Sequence, residues 1–159
     1  MLFRTHFVFA VFIYIIFFKF LEVGLYEKVI LGIFMFLATI FVDIDSTKSK
    51  LGSYWVFRPI QLFFSHRGMI HSILFGLIIS LFIYLLNSFA GIGFFVGYLC
   101  HLLLDFFTKR GIYLFWPLYK KKFCLVGLSS GGILEEILFV LLLLCDIFMT
   151  VKIFFNIEI

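Results

Sequence analysis

Residues 89–107 read FAGIGFFVGYLCHLLLDFF, an apolar stretch about as long as a bilayer is thick, with His101 and Asp105 set into its last part. A run of this kind with no period-2 alternation is a membrane-spanning helix, because lipid leaves no other partner for the backbone amides. Similar runs lie at about 5–21, 27–45, 69–86 and 133–153, each bounded by charges or by Gly and Asn. The expectation is an all-α integral membrane protein, a bundle of about five transmembrane helices in a single domain over residues 1–159.

Composition agrees. The chain is 64% hydrophobic and 14% charged, against about a quarter charged in soluble domains, and 26 of its 159 residues are Phe. A soluble domain of this size could not hide that much aromatic surface around one core. No Pro-, Gly- or Ser-rich linker divides it. Cys100, Cys124 and Cys145 are widely spaced without a CxxC pair, so neither a disulfide framework nor a thiolate zinc site is indicated. The first run ends in Lys19-Phe20-Leu21-Glu22 rather than a small-residue cleavage site, and is read as a retained span.

The loops sort by alternation. If the side holding the start of the chain is the near side, it carries ten basic residues (Arg4, Lys48, Lys50, Arg58, Arg67, Lys109, Arg110, Lys120, Lys121 and Lys122), and Lys19, Lys28 and Lys152 lie opposite. The positive-inside rule makes the near side cytoplasmic. The basic residues are scattered between apolar runs, which suits lipid headgroups and not a nucleic-acid partner. Two aromatic segments, Tyr54–Phe57 and Ile112–Pro117, are flanked by cations and read as lying in the interface.

The same alternation carries the groups that bind metals. His6 starts the first span, Asp43 and Asp45 end the second, His66 and His71 precede or begin the third, and His101 and Asp105 end the fourth. All seven fall on the cytoplasmic side. His101 and Asp105 are four apart and share a helix face. Ionisable groups in a membrane helix are costly and mark function more often than packing. Asp43 and Asp45 alone would read as a helix end entering water, and His6 alone as an interfacial residue; their company raises them. Imidazoles with carboxylates and no thiolate suit Zn²⁺ first, with Mn²⁺ or Fe²⁺ as alternatives, as one ion or two. Water activated by such an ion is a nucleophile at neutral pH, and Arg67 could hold a phosphate oxygen. Glu135 or Glu136 could add a ligand or general base, or simply favour the positive end of their helix.

The runs Asp43-Ile-Asp45, His66-Arg-Gly-Met-Ile-His71-Ser72, Gly97-Tyr-Leu-Cys-His101-Leu-Leu-Leu-Asp105-Phe-Phe-Thr108-Lys-Arg-Gly111 and Trp116-Pro117 together resemble the YdjM-like family. Its members are described as LexA-regulated, inner-membrane, metal-dependent hydrolases, and the similarity runs from about His6 to Glu136. The resemblance implies metal or active-site roles for His6, Asp43, Asp45, His66, His71, His101 and Asp105, supported by Arg67, Thr108 and a glutamate of the last helix. Ile70 stands where the family commonly has Thr. The resulting expectation is a membrane-bound hydrolase cleaving a phosphoester of a lipid or lipid-like substrate at the cytoplasmic interface. A divalent-metal or proton transporter, a regulatory membrane protein with a structural metal, and a haem held between helices are the competing readings; the clustered aspartates argue against haem.

Overall fold

The computed structural model describes residues 1–47, 49, 52–63 and 67–155, except the side chains of Ile60 and Phe63; Lys48, Lys50 and His66 lie outside the described residues. Helices α1 (Phe3–Phe20), α5 (Ser88–Phe106) and α6 (Ile133–Phe154), and α2 (Leu25–Phe41) with the 3₁₀ turn that continues it to Asp45, are long and apolar enough to cross a membrane. A short α3 (Arg58–Phe63) follows a 3₁₀ turn at Trp55–Phe57, and α4 (Ile73–Leu86) completes the set. The described residues contain no strand, only isolated bridges that pair Thr108 with Leu128 and Ile112 with Phe123.

The third expected span is shorter than the sequence suggests. α4 has 14 residues and so rises about 21 Å, well under the roughly 30 Å of a hydrocarbon core. Ser72 is the cause: its extended backbone stops the helix, and its side chain accepts the Phe75 amide as an N-cap. The preceding residues form a separate 3₁₀ turn at Met69–His71. Tyr98 holds that turn from α5, its hydroxyl donating to the carbonyls of Ile70 and Ser72. At the far end α4 passes directly into α5, where Asn87 caps the new helix by accepting the Ala90 amide at 2.9 Å.

α5 is the central helix, with 61% of its span buried, against 11% for α6. α2 packs along it closely enough that a Cβ at Gly93 would lie 2.3 Å from the Leu31 carbonyl oxygen, and one at Gly97 2.0 Å from that of Met35. Small residues four apart permit such backbone contact between membrane helices. Continuing each series by four residues reaches His101 on α5 and Thr39 on α2, so the glycine face sets the height at which His101 meets α2. Ala38, Val42, Phe94, Tyr98, Leu102 and Ile112 form one buried cluster at this end, and Ala10, Leu31, Met35 and Cys100 another. α6 packs on α1 and leaves Ile137, Leu141, Leu144, Ile147 and Phe148 more than half exposed, as a lipid-facing helix does.

Candidate metal centre

His6, His71, His101, Asp45 and Asp105 are buried at one end of the bundle, and Asp43 beside them keeps 21% of its side chain exposed. Four local elements deliver them. His6 is in the second turn of α1, His101 and Asp105 are at the end of α5, Asp43 and Asp45 are in a 3₁₀ turn at Val42–Asp45 that tightens the end of α2, and His71 closes the turn at Met69–His71.

The imidazole orientations follow from their outer partners. His101 Nδ1 is 3.0 Å from the Thr39 carbonyl oxygen, which can only accept, so Nδ1 carries the proton and Nε2 presents a lone pair. That Nε2 is buried and has no hydrogen-bond partner. Thr39 is among the last four residues of α2, whose carbonyls lack a full set of intrahelical donors, which leaves its oxygen available. His71 Nδ1 lies 3.2 Å from Asp45 Oδ2, and the same oxygen accepts the Arg67 amide at 3.1 Å. Asp45 thus braces His71 from behind. A carbonyl or carboxylate on the outer nitrogen is the usual arrangement around metal-ligating histidines.

Asp105 divides its two oxygens. Oδ2 is 3.6 Å from His71 Nε2 and 3.9 Å from His101 Nε2, while Asp43 Oδ1 completes the ring at 3.9 Å from His71 Nε2 and 3.7 Å from His101 Nε2. Oδ1 faces away from that ring: it accepts Arg67 Nη2 at 2.8 Å and the Met1 ammonium at 2.7 Å, and His6 Nε2 lies 3.4 Å off. The His6 ring stacks on that of His101 with centroids 4.0 Å apart and planes 10° from parallel. Ligand-to-ligand separations of about 3.3–3.6 Å surround a tetrahedral Zn²⁺ with bonds near 2.0–2.2 Å. The four edges joining Asp43, His71, His101 and Asp105 are a few tenths of an ångström wider, the donors are of the right type, and Asp43, His71 and His101 form one group whose ligand atoms all lie within 4.8 Å of one another. His6, His101 and Asp105 form a second, overlapping group of potential ligands.

Arg67 is buried, although a loop cation would ordinarily remain in water. Its φ of 62° is left-handed, a conformation costing on the order of 1–3 kcal/mol in a residue with a Cβ, and the side chain is held by Nη1 donating to Thr108 Oγ1 at 2.6 Å and Nη2 to Asp105. Thr108 in turn donates to the Asp105 carbonyl at 2.8 Å. Arg67 Nε is buried without a partner.

The two glutamates separate. Glu135 is buried and accepts the Leu2 amide at 2.5 Å, the Thr5 hydroxyl at 2.8 Å and the Gly131 amide at 2.7 Å, so it anchors the start of α1 and with it His6. Glu136 pairs with Arg4 at the half-exposed surface. Neither is among the metal-ligand groups. Sequence reasoning missed Thr39, which acts through its carbonyl, and Gln61, whose Nε2 donates to the carbonyls of Ile44 and Gly52 and ties down the loop after Asp45. It also missed Tyr98. Backbone acceptors and loop-bracing amides leave no mark in residue type; a tyrosine hydroxyl inside an apolar helix does need a partner, and that was the available signal.

The family described as YdjM inner membrane protein matches residues 1–156. Two curated relatives, each called inner membrane protein YdjM, from Escherichia coli strain K12 and Shigella flexneri, are 38% identical over 84 residues, covering 47% of this chain and 43% of the relative. The matched region is therefore less than half the length of those relatives. No solved structure gives a significant match.

Proposed function

The chain belongs to the YdjM inner membrane protein family, and from that premise we propose that it is a membrane-bound metal-dependent hydrolase cleaving a phosphoester of a lipid or lipid-like substrate at the cytoplasmic face of the membrane. The observation that carries the reading is the ring of Asp43 Oδ1, His71 Nε2, His101 Nε2 and Asp105 Oδ2, neighbours within it 3.6–3.9 Å apart, with both imidazoles held from behind. These four would hold one divalent cation, Zn²⁺ first, with Mn²⁺ or Fe²⁺ as alternatives. A second ion between His6 and Asp105 would have to share Oδ1 with the Arg67 guanidinium 2.8 Å away, which favours a single ion with His6 outside its ligand ring. A bound divalent ion supplies Lewis acidity toward water and a phosphoryl oxygen.

The chain's own groups do the rest. Asp45 and the Thr39 carbonyl fix the imidazole tautomers. Arg67 and Thr108 fix Asp105 so that Oδ2 faces the ring, and the guanidinium sets a fixed positive charge beside it. Burial of His71, His101 and Asp105 keeps bulk water out, and the partly exposed Asp43 marks the side from which substrate arrives. A lipid phosphate at headgroup depth reaches that side by lateral diffusion.

The test is to purify the chain in mild detergent, measure bound metal by elemental mass spectrometry, and assay phosphate release from mixed lipid substrates for the parent, His71→Ala and Asp105→Ala. Loss of metal and phosphate release together in both variants supports the proposal. A folded parent that stays metal-free after loading with Zn²⁺ or Mn²⁺ overturns it, and metal without turnover returns the transporter and structural readings.

A further inference from the structure

Between α5 and α6 the chain from Lys109 to Val126 carries five cations (Lys109, Arg110, Lys120, Lys121 and Lys122) and no acid. It is held in place by backbone hydrogen bonds. The Lys109 amide donates to the Leu128 carbonyl at 3.0 Å, Leu128 to Phe107 at 2.8 Å and Leu125 to Phe106 at 2.9 Å, while Ile112 and Phe123 exchange a pair at 3.0 and 2.9 Å. The Ile73 amide, at the start of α4, donates to the Leu114 carbonyl at 3.0 Å. The loop is thereby fastened to the end of α5 just beyond Asp105 and to the start of α4 just beyond His71. Both of its ends join membrane spans at this same end of the bundle, so it lies at the membrane surface as a collar beside the metal centre.

Its side chains are the wrong mixture for water alone. Leu118 is 87% exposed next to the three lysines, and Phe115, Tyr119, Leu125 and Val126 are exposed as well. Lys121 Nζ lies over the Tyr119 ring at 5.7 Å and Lys122 Nζ over Tyr113 at 5.3 Å, so cation and aromatic groups are interleaved. A site for a soluble anion needs the cations only; exposed Leu, Phe and Val beside them would cost free energy in water. The boundary between headgroups and acyl chains accommodates both, with aromatic bodies at headgroup depth and cations on lipid phosphates.

We propose that the 109–126 loop binds anionic phospholipid headgroups, its cations on their phosphates and its apolar side chains at the acyl boundary, and so gathers the anionic lipids of one leaflet beside the metal centre. That these lipids are also the substrate class rests on the hydrolase reading; the lipid contact does not.

Trp116 reports on the loop once Trp55→Phe has removed the other of the chain's two tryptophans. The variant is reconstituted in bilayers of phosphatidylcholine and phosphatidylglycerol in which one lipid or the other carries brominated chains, and Trp116 quenching is compared at equal mole fraction. The expected result is stronger quenching by brominated phosphatidylglycerol, a preference of up to about fivefold per cation engaged, falling with added salt. Lys120→Gln/Lys121→Gln/Lys122→Gln should lose most of that preference while keeping the bound metal of the parent. Equal quenching by the two lipids, an undiminished preference in the triple variant, or relief by inorganic phosphate at fixed ionic strength overturns the proposal, the last by pointing to a soluble anion. Preference without phosphate release leaves the lipid contact standing and removes the hydrolase reading; phosphate release without preference does the reverse.

Discussion

Gly97→Ala tests whether α2 and α5 set the metal centre together. The new Cβ would sit 2.0 Å from the Met35 carbonyl oxygen and 2.7 Å from its carbon, both backbone atoms that no rotamer change can move. A close carbon-to-oxygen contact is about 3.3 Å, so the helices must part by roughly 1.3 Å at this point. The His101–Thr39 bond, now 3.0 Å, is one helical turn further along the same interface and would pass beyond hydrogen-bond reach. Worse for metal binding, α2 leads into Asp43 whereas α5 carries His101 and Asp105, and ligand positions tolerate only about 0.2 Å. The expected outcome is a stability loss of about 1–3 kcal/mol, typical of overpacking, with metal affinity down at least about tenfold. Elemental analysis across a metal titration, paired with thermal unfolding in detergent, measures both. The control is Gly91→Ala, whose Cβ would lie 2.5 Å from the Tyr84 Cα at the far end of the α4–α5 hairpin. It should destabilise comparably and leave metal affinity alone. A folded Gly97→Ala protein that binds metal like its parent, or a Gly91→Ala protein that loses metal equally, would refute the reasoning.

Asp45→Asn keeps the shape of the group behind His71 but removes its charge, and should weaken metal binding about 10- to 100-fold without unfolding the protein, as read by competition with a chelating dye. Arg67→Lys cannot reproduce the fork that reaches Thr108 and Asp105 together; phosphate release should fall more than metal content, and equal losses would reduce Arg67 to a support for the metal ligand. Asp146 is buried in α6 with Oδ1 unpartnered, an expensive group at that depth. Asp146→Leu should raise the thermal midpoint and spare phosphate release; loss of activity in a stable variant would give Asp146 a part in function and revive the transporter reading.

Much of this architecture was legible in the sequence because one pattern carries two messages. The spacing of apolar runs places helix ends, and helix ends place whatever polar groups they hold, so His6, Asp43, Asp45, His71, His101 and Asp105 could be assigned to one end of the bundle before any distances were known. What resisted was phase. Glu135 and Glu136 differ by about 100° of helix rotation, which turns one toward the start of α1 and the other toward Arg4 at the surface. Asp43 and Asp45 lie within one 3₁₀ turn, where an α-helical spacing rule does not apply; one faces the ligand ring and the other braces His71. The short α4 was readable in principle, since Ser72 before an apolar run is an N-cap signal, yet a continuous apolar stretch hides the break. Arg67 was legible as a phosphate-holding cation but not as a buried one. Its burial depends on Asp105 and Thr108, 38 and 41 residues away, which no local pattern contains.

Two kinds of backbone meet at the metal ring. His101 and Asp105 ride on the most buried helix of the bundle, whereas Asp43 and His71 ride on 3₁₀ turns, whose hydrogen bonds are poorer and whose local opening costs less. The ring is therefore a vice with one fixed and one sprung jaw. A larger or smaller cation would be fitted by movement of the sprung side, so selectivity for ionic radius resides in the stiffness of those turns more than in the choice of ligands. The same compliance would set the exit of a bound ion, on the side where Asp43 already meets solvent.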